Sequence, residues 1–600
     1  MNRPAPLNRR TFVKTTCMAG AAAGIGNARL SWPLLRAAEE PALAPPKPSW
    51  VDRPMRWAQL TLVEDDPGKF DLAFWLDYFR RTRSDAVCLS AGGCVAYYPT
   101  QVPFHHRSQW LGDRDVFGEL VAGCRKLGMV VIARTDPHAT YNDVHQAHPD
   151  WIAVDAEGRP RRHWASPEMW ITCALGPYNF EFMTEVKKEI MSRYRVDAIF
   201  INRWDGSGIC FCEHCRRNFR EANGLELPLS NNPQDPARRA YILWRQQRLF
   251  DLWRLWDGEV RKINPDSCVI PNTGGGATSS LDMKRIGELA PTLIADRQAR
   301  RGLAPPWMNG KNGKEFRAAM GRKPIVGIFS VGLEEPYRWK DSVQSEAEIR
   351  LWVADGVANG LRPWFTKFSG VLHDERWLKP VEALYRRYAQ WEKYLRHERP
   401  LARVGLEDAP RIINGARRVE VAATAPFPNP PLTLIPSYPD LPMEKVYPRV
   451  PKTDIPQVYP RESGRSRIVY FPWDIDRTFL EVLCADHLKL LRNAVAWATN
   501  EDPLITVSGP GVLDVTVWQQ RDSLTVHLVN LTNPMMMKGP VRELIPIGEQ
   551  QVRLRLPEGA RPRRVRLLAA DQRPHVQRIG SYLHATVPSI LDHEIVVIEL

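Results

Sequence analysis

The sequence lacks a hydrophobic run that is long enough to span a bilayer. Its apolar stretch from Thr15 to Gly26 is short and rich in glycine and alanine, whereas a membrane helix needs about 20 predominantly apolar residues. The chain also lacks a basic tract with interleaved aromatic residues, although its net charge is +14. These absences argue against a membrane span and against a nucleic-acid partner. The scattered arginines are compatible with an acidic glycan, and equally with a generally arginine-rich proteome.

The N-terminus has the pattern of a targeting signal. Arg9 and Arg10 are followed by Phe12 and Lys14, and then by the weakly hydrophobic stretch. This order resembles a twin-arginine signal peptide. We therefore predict that residues 1–38 form this signal and that the mature protein is periplasmic or secreted. The twin-arginine route carries folded proteins, so a metal could be bound before export.

Four cysteines form the most specific motif of the chain. Cys210, Cys212 and Cys215 have the spacing C-x-C-x-x-C, and Cys173 lies upstream. Zinc prefers four soft ligands in a tetrahedron, and three closely spaced thiolates supply most of such a site. Disulfides are the alternative in an exported protein, and free thiols are a third interpretation. We predict that this cysteine cluster binds a structural Zn²⁺, with His214 solvated rather than a ligand.

The first two thirds of the chain alternate apolar strands with helical segments. Six hundred residues are too many for one hydrophobic core, so several domains are expected. Eight strand–helix pairs over residues 50–395 predict an α/β fold of the (β/α)8 TIM-barrel type. The predicted strands are Arg56–Val63, Asp85–Ala91, Met129–Arg134, Asp197–Arg203, Ser267–Asn272, Thr292–Asp296, Pro324–Ser330 and Arg362–Phe368.

The last third of the chain has a different composition. Residues 404–505 are rich in proline, which excludes helix interiors where it clusters, but they include a predicted strand at Ser466–Phe471 and a helix at Asp486–Ala498. Residues 511–600 contain six short strand patterns and predict a small C-terminal β-sandwich. These strands are Leu513–Trp518, Ser523–Asn530, Gln551–Leu556, Val565–Leu568, Tyr582–Val587 and Ile595–Leu600.

The cysteine motif resembles that of glycoside hydrolase family 42, the β-galactosidases, and of related barrel hydrolases of unassigned substrate. The matching residues are Trp170-Ile-Thr-Cys173, the following Pro177-Tyr178-Asn179, and the C-x-C-x-x-C run with Phe219 four residues after it. The resemblance implies a structural zinc on the four cysteines. It also implies a barrel, a trimerisation domain similar to an amidotransferase, and a C-terminal β domain. Residues 404–505 are shorter than that trimerisation domain, so a homo-oligomer remains open.

The chain departs from the family at both catalytic positions. The β-galactosidases have Asn-Glu at the end of the fourth strand, where this chain has Asn202-Arg203, and a glutamate at the end of the seventh, where it has Ser330. Neither catalytic glutamate is therefore carried over. The α-L-fucosidases offer a second comparison, because they use an aspartate at the end of the fourth strand. Asp205 corresponds to it by position alone.

Other carboxylates follow the predicted strands and are candidates for catalysis. Strand ends converge at the mouth of a barrel, and glycosidases need two carboxyl groups across the scissile bond. Asp205 follows the fourth strand, Asp296 ends the sixth, Glu335 follows the seventh beside Glu334, and Asp136 follows the third. We predict that Asp205 acts with Asp296 or Glu335. The alternatives are a turn residue before Gly206 or a partner of Arg203 for Asp205, a salt bridge to Arg297 for Asp296, and solvated loop glutamates.

Aromatic and polar residues near the same strand ends predict a sugar-binding surface. An indole or phenol face can stack on a sugar ring, and imidazole, amide and guanidinium groups can bind its hydroxyls. The predicted substrate-binding residues are Trp204, Tyr178, Asn179, Asn202, Arg203, His138 and Arg134. The sequence thus favours a glycoside hydrolase that acts on an oligosaccharide or glycoconjugate, similar to a β-galactosidase or an α-L-fucosidase. The alternative is a catalytically silent barrel that binds carbohydrate.

Overall fold

Eight parallel strands form the centre of the structure. A computed structural model describes residues 45–600 apart from 274–280, 301–303, 333–341, 398, 401–416, 422–426, 428–429, 438–441, 443–444, 446, 451–452, 465, 483–484 and 533–540. The strands, numbered β1 to β8 along the chain, are Trp57–Thr61, Ala86–Gly93, Val130–Asp136, Ala198–Ile201, Cys268–Pro271, Leu293–Ala295, Ile325–Ser330 and Leu361–Phe368. All eight predicted strands are present.

The strands form one nearly closed sheet in the order β5-β4-β3-β2-β1-β8-β7-β6. Every ladder in this sheet is parallel, and β5 contacts β6 at the point of closure. The strands are continuous apolar runs because both of their faces are buried. Inside the barrel, the ring of Trp57 on β1 stacks on Trp364 of β8 at a centroid distance of 5.2 Å. Trp364 is therefore a core residue.

Each strand of the barrel is followed by a helix that packs on the outside of the sheet. Several of these helices begin at an aspartate or serine whose side chain accepts a hydrogen bond from a backbone N–H of the first turn, which stabilises a helix start. The barrel helices are Leu72–Arg81, Val116–Lys126, Met183–Tyr194, Glu213–Asn223, Pro236–Ile263, Met283–Leu289, Met308–Met320, Glu346–Ala358 and Leu378–Trp391. Two of them, Glu213–Asn223 and Pro236–Ile263, lie between β4 and β5.

The ends of β2 and β3 approach each other closely at Gly93. Gly93 has a φ of +112°, and a Cβ atom there would lie 2.4 Å from the backbone oxygen of Asp136. Only glycine fits this conformation and this distance. The next residue, Cys94, donates its backbone N–H to the same oxygen at 3.0 Å. This glycine therefore brings the Cys94 thiol beside the side chains at the end of β3.

Two antiparallel sheets form the C-terminal sandwich. One contains Leu513–Gln520, Ser523–Asn530, Arg564–Leu567 and His593–Glu599, joined at its edge by Arg399–Pro400, and the other contains Ile505–Ser508, Gln550–Arg555, Val576–Ile579 and Tyr582–Val587. Apolar residues of both sheets form a common core. The six predicted strands are confirmed, and Ile505–Ser508 and Val576–Ile579 are additional.

The described part of residues 404–505 contains a hairpin and two helices. The hairpin pairs Tyr459–Ser463 with Ser466–Tyr470, and the helices are Ile475–Val482 and Ala485–Thr499. The predicted strand and helix of this segment are thus present, while its resemblance to a trimerisation domain stays a prediction. Among the helices of the described ranges, none has both the length and the apolar composition that crossing a membrane requires.

Candidate active site

A row of hydrogen-bonded side chains crosses the carboxyl ends of β3 to β6. Asn202, after β4, donates from Nδ2 to Asp136 Oδ2 at 2.8 Å. Asn272, after β5, donates from Nδ2 to Asn202 Oδ1 at 3.0 Å and to Asp296 Oδ2 at 2.8 Å. Gln298 completes the row with a bond from Nε2 to Asp296 Oδ1 at 2.8 Å. This polar row therefore connects two carboxylates, with Asp136 at one end and Asp296 near the other end.

Asp136 is held in its ionised form by its neighbours. Burial alone favours the neutral acid, but Arg134, His138 and Asn202 outweigh burial and hold the pKa of Asp136 well below its usual range. Arg134 lies 2.9 Å from Oδ2, and His138 Nδ1 lies 2.5 Å from Oδ1. Because a proton donor needs a raised pKa, Asp136 suits the stabilisation of positive charge better than proton donation.

His138 connects Asp136 to a second imidazole. Its Nε2 lies 3.3 Å from Nε2 of His163. The backbone N–H groups of Ala165 and Ser166 donate to His163 Nδ1, which assigns the His163 proton to Nε2, directed at His138. Burial lowers the pKa of His138, but Cys94 and Asp136 outweigh it and raise that pKa. The Nε2–H group of His163 points at Nε2 of His138, so a proton on that His138 nitrogen would face another proton. His138 can therefore carry protons on both ring nitrogens only if the His163 ring turns.

A cavity of ≈310 Å³ lies beside the polar row. Its wall includes His138, Trp164, Arg203, Trp204 and Asp205. The Trp204 indole is buried and donates from Nε1 to the backbone oxygen of Asn272 at 2.9 Å, whereas Trp164 is 63 % exposed. The cavity therefore combines fixed and exposed aromatic surfaces with polar groups, as a site for a small polar ligand does.

Asp205 lies in the wall of this cavity and outside the polar row. Its Oδ2 accepts a hydrogen bond from Arg245 Nη2 at 3.1 Å, and its backbone oxygen accepts one from the same nitrogen at 2.8 Å. Arg245 belongs to the helix Pro236–Ile263. Asp296, its predicted catalytic partner, is a member of the row, and Glu335 lies outside the described residues. The pairing of Asp205 with either of them stays a prediction.

Arg203 is the exposed basic residue of the cavity wall. Its guanidinium carbon lies 5.2 Å from the centroid of the Trp164 ring, which permits a cation–π interaction. The backbone of Arg203 is left-handed, with a φ of +47°. A residue with a side chain adopts this conformation only where its surroundings stabilise it, and such residues cluster at functional sites.

Two further predicted binding residues lie deeper than expected. Asn179 is 1 % exposed but reaches the cavity wall, and its Nδ2 donates to the backbone oxygen of Ala174. Tyr178 is also 1 % exposed and packs against Trp151 and Phe182. Tyr178 therefore supports the site from the core and is not part of the cavity wall.

The cysteine cluster lies next to the cavity. The sulfur of Cys173 is 3.5 Å from that of Cys215 and 3.6 Å from that of Cys212, and all four sulfurs lie within 4.8 Å of one another. None of the four is in a disulfide. Sulfur atoms at zinc–sulfur distances of about 2.3 Å in a tetrahedron would be about 3.8 Å apart. The four side chains therefore fit a tetrahedral zinc ion.

The cluster connects the segments that carry the cavity wall. Val154 donates its backbone N–H to Cys210 Sγ at 3.4 Å, and Cys212 is the N-cap of the helix Glu213–Asn223. Asp205 and Cys210 lie on the same loop, between β4 and the helix Glu213–Asn223, and with Gly208 they line a small adjoining cavity. The cluster thus fixes the loop after β4.

Sequence reasoning missed Gln298, His163 and Arg245, and also two polar residues at strand ends of the mouth. Asn272 links the two halves of the polar row, and Glu64 follows β1 with a pKa that burial, and then Asp65 and Glu168, raise above its ordinary value. Both positions carried a signal in the sequence. Asn272 is the last residue of a predicted strand, and Glu64 comes directly after one.

The comparisons with known proteins bear on this site. Residues 71–203 match the family model described as hypothetical glycosyl hydrolase 6. The match extends from the helix after β1 to Arg203 in the cavity wall, and it supports glycoside hydrolase activity for this barrel. The predicted resemblance to glycosyl hydrolases of this kind is confirmed. No curated protein matches the chain in sequence.

Solved structures share the fold along nearly the whole chain. The α-L-fucosidase isoenzyme 2 from Paenibacillus thiaminolyticus is similar with a TM-score of 0.69 at 14 % identity, covering 91 % of this chain and 99 % of the fucosidase. The β-galactosidase from Bacillus circulans sp. alkalophilus has a TM-score of 0.60 at 12 % identity, with 91 % and 99 % covered. A family 42 β-galactosidase from G. stearothermophilus has a TM-score of 0.60 at 11 % identity, with 90 % and 98 % covered. These similarities establish the fold.

Proposed function

We propose that this protein is a glycoside hydrolase that cleaves a glycosidic bond of an oligosaccharide or glycoconjugate with two carboxyl groups. The observation that carries the proposal is the position of Asp205 in a cavity that adjoins the polar row at the mouth of a glycosidase-like barrel. Asp296 supplies the second carboxyl group from the row. Glycosidases with different stereochemical outcomes use such carboxylate pairs at different separations.

The neighbours of each carboxylate suggest its role. Arg245 keeps a positive charge beside Asp205, and a carboxylate so paired suits the role of nucleophile or base. Asp296 accepts bonds only from the uncharged amides of Asn272 and Gln298 among the described residues, and it is the candidate proton donor. Asp136 would then stabilise the positive charge that develops on the sugar ring in the transition state.

An aryl-glycoside panel tests this function. The wild-type protein should hydrolyse at least one α-L-fucoside, β-D-galactoside or related substrate. Asp205→Asn and Asp296→Asn should each lower kcat by about 10²–10⁴-fold, with unchanged circular dichroism. Asp251→Asn, on the exposed face of the helix Pro236–Ile263, is the matched control and should keep full activity. Full activity in Asp205→Asn would contradict the proposed mechanism.

A carbohydrate-binding barrel without catalysis is the second candidate. Its support is the replacement of both family glutamates, by Arg203 at β4 and by Ser330 at the end of β7. Sugar binding by a wild-type protein that hydrolyses none of the panel would establish this function instead.

We also propose a structural Zn²⁺ in the cysteine cluster. Cys173, Cys210, Cys212 and Cys215 would hold it, because their sulfurs have the spacing and chemistry of a four-thiolate site. Four protein ligands leave no open coordination position for a substrate. Its contribution is to fix the loop after β4, and the chemical steps belong to the carboxylates.

A further inference from the structure

Arg203 carries a positive charge that no carboxylate of the described mouth neutralises. Within the described ranges, its guanidinium has no hydrogen bond and no ion pair, and it lies over the Trp164 ring. The carboxylates that follow β3, β4 and β6 are bonded to other groups. Asp205 binds Arg245, Asp136 binds Arg134, and Asp296 binds the amides of the polar row. The charge of Arg203 is therefore available to a ligand.

The backbone turns sharply at Arg203, beside the cavity. Its φ of +47° is left-handed, a conformation that strains a residue other than glycine. The next residue, Trp204, turns inward and is anchored by its bond to Asn272. The turn thus separates a buried indole from an exposed guanidinium, and both line the same cavity.

We propose that Arg203 binds an anionic group of the substrate, so that the cavity selects a sugar bearing a carboxylate or a sulfate over a neutral sugar. The proposal rests on the glycoside hydrolase function above and defines its substrate class. A guanidinium offers two parallel N–H donors to the oxygens of either group. The Trp164 ring lies 5.2 Å from the guanidinium carbon, and among the described residues no acceptor is bonded to the guanidinium N–H groups.

Calorimetric titration of the mature protein at low salt tests the proposal. The ligands are D-glucuronate, D-galacturonate and D-galactose 6-sulfate, with neutral D-glucose and D-galactose as their parent sugars. At least one anionic sugar should bind about tenfold more tightly than its parent, as expected for one charge-assisted hydrogen bond. A preference for the uronates identifies a carboxylate as the ligand group, and a preference for the 6-sulfate identifies a sulfate.

Two variants connect the preference to Arg203. Arg203→Gln should reduce the preference to about twofold or less, and Arg203→Lys should retain part of it because the charge stays and the paired donors are lost. Arg563→Gln removes an exposed arginine of the sandwich and should leave the preference unchanged. Equal binding of anionic and neutral sugars, no binding of any anionic sugar, or a preference that survives in Arg203→Gln would each overturn the proposal.

The outcomes also separate this inference from the proposed function. Hydrolysis of neutral glycosides without an anion preference would reject the substrate class and keep the hydrolase. An Arg203-dependent anion preference in a protein that hydrolyses no uronide, sulfated glycoside or neutral glycoside would reject the hydrolase and keep the binding site.

Discussion

Arg245 holds Asp205 at two points, the carboxylate and the backbone oxygen, through a single guanidinium nitrogen at 3.1 and 2.8 Å. The side chain and the main chain of Asp205 are thereby fixed relative to the helix Pro236–Ile263. Free rotation of the carboxylate would lower the rate of the catalysed reaction, because reacting groups must be held in a narrow range of geometry.

Removing this contact should reduce turnover more than substrate binding. We expect Arg245→Gln to lower kcat by about tenfold or more, with a smaller change in KM, because the carboxylate remains present but is no longer positioned. Steady-state kinetics on the best glycoside of the panel measures this split. Arg254→Gln removes an exposed arginine of the same helix, paired with Asp251, and should change neither constant. A rise in KM alone would show that Arg245 acts in binding.

The cysteine cluster predicts one zinc ion per chain. Elemental analysis of the purified protein should find it, and Cys215→Ser should lose it together with the thermal stability that a structural site provides. Cys124→Ser, which removes a cysteine of the helix Val116–Lys126, outside both metal-ligating groups, should keep the zinc. Stoichiometric zinc in the Cys215→Ser protein would assign the metal to other ligands, and a disulfide among the four cysteines would exclude this site.

Asp592 connects the barrel to the sandwich in a pH-dependent manner. Its side chain is 3 % exposed and bridges Arg350 and Arg387 at 3.0 and 2.8 Å. Burial favours the neutral acid, but the two arginines outweigh it and lower the pKa of Asp592. A lowered pKa stabilises the fold above the ordinary carboxyl value of about 4, and this contribution is lost as the pH falls through the lower folded pKa.

Asp592→Asn should therefore destabilise the protein at neutral pH. We expect a loss of about 3–5 kcal/mol in the free energy of unfolding at pH 7, and a smaller difference from wild type at pH 3. Urea unfolding at both pH values measures it. Asp571→Asn removes a highly exposed carboxylate that pairs with Arg566 and should have little effect at either pH. A difference that is constant with pH would show that Asp592 acts by packing alone.

The export hypothesis is tested at the twin arginines. Replacing both Arg9 and Arg10 with Lys should leave the precursor in the cytoplasm, because the twin-arginine route reads this pair as an address. Cell fractionation with an antibody against the mature protein measures it. Changing Arg3 to Lys, outside the pair, should not affect export. Undiminished export of the double variant would indicate another route.

The barrel could be predicted from the sequence because its strands are apolar on both faces. Runs such as Ala198–Ile201 are short, buried and bounded by polar residues. The number and the order of such strands can therefore be recognised from the amino-acid sequence. The two missed sandwich strands differ in this respect. Val576–Ile579 is largely exposed, and its pattern resembles that of a loop.

The site could be predicted only in part because its contacts join distant segments. The cysteines of C-x-C-x-x-C are close in sequence, and their convergence with Cys173 is confirmed. Asn272 and His163 gain their roles from neighbours that are 70 and 25 residues away. Strand order predicts that such residues share one face, but side-chain rotamers decide which of them bond.

The hydrogen bonds of the polar row also have a fixed direction, which follows from the amides of its two asparagines. Asp136 can only accept hydrogen bonds while ionised, so Asn202 donates to it, and Asn272 donates one proton to Asn202 Oδ1 and the other to Asp296 Oδ2. Neither amide can flip without placing two oxygens against each other. A glutamate or aspartate at position 202 would place a third carboxyl group between Asp136 and Asp296. The asparagines thus act as uncharged spacers, which allow two carboxyl groups with different roles to share one barrel mouth.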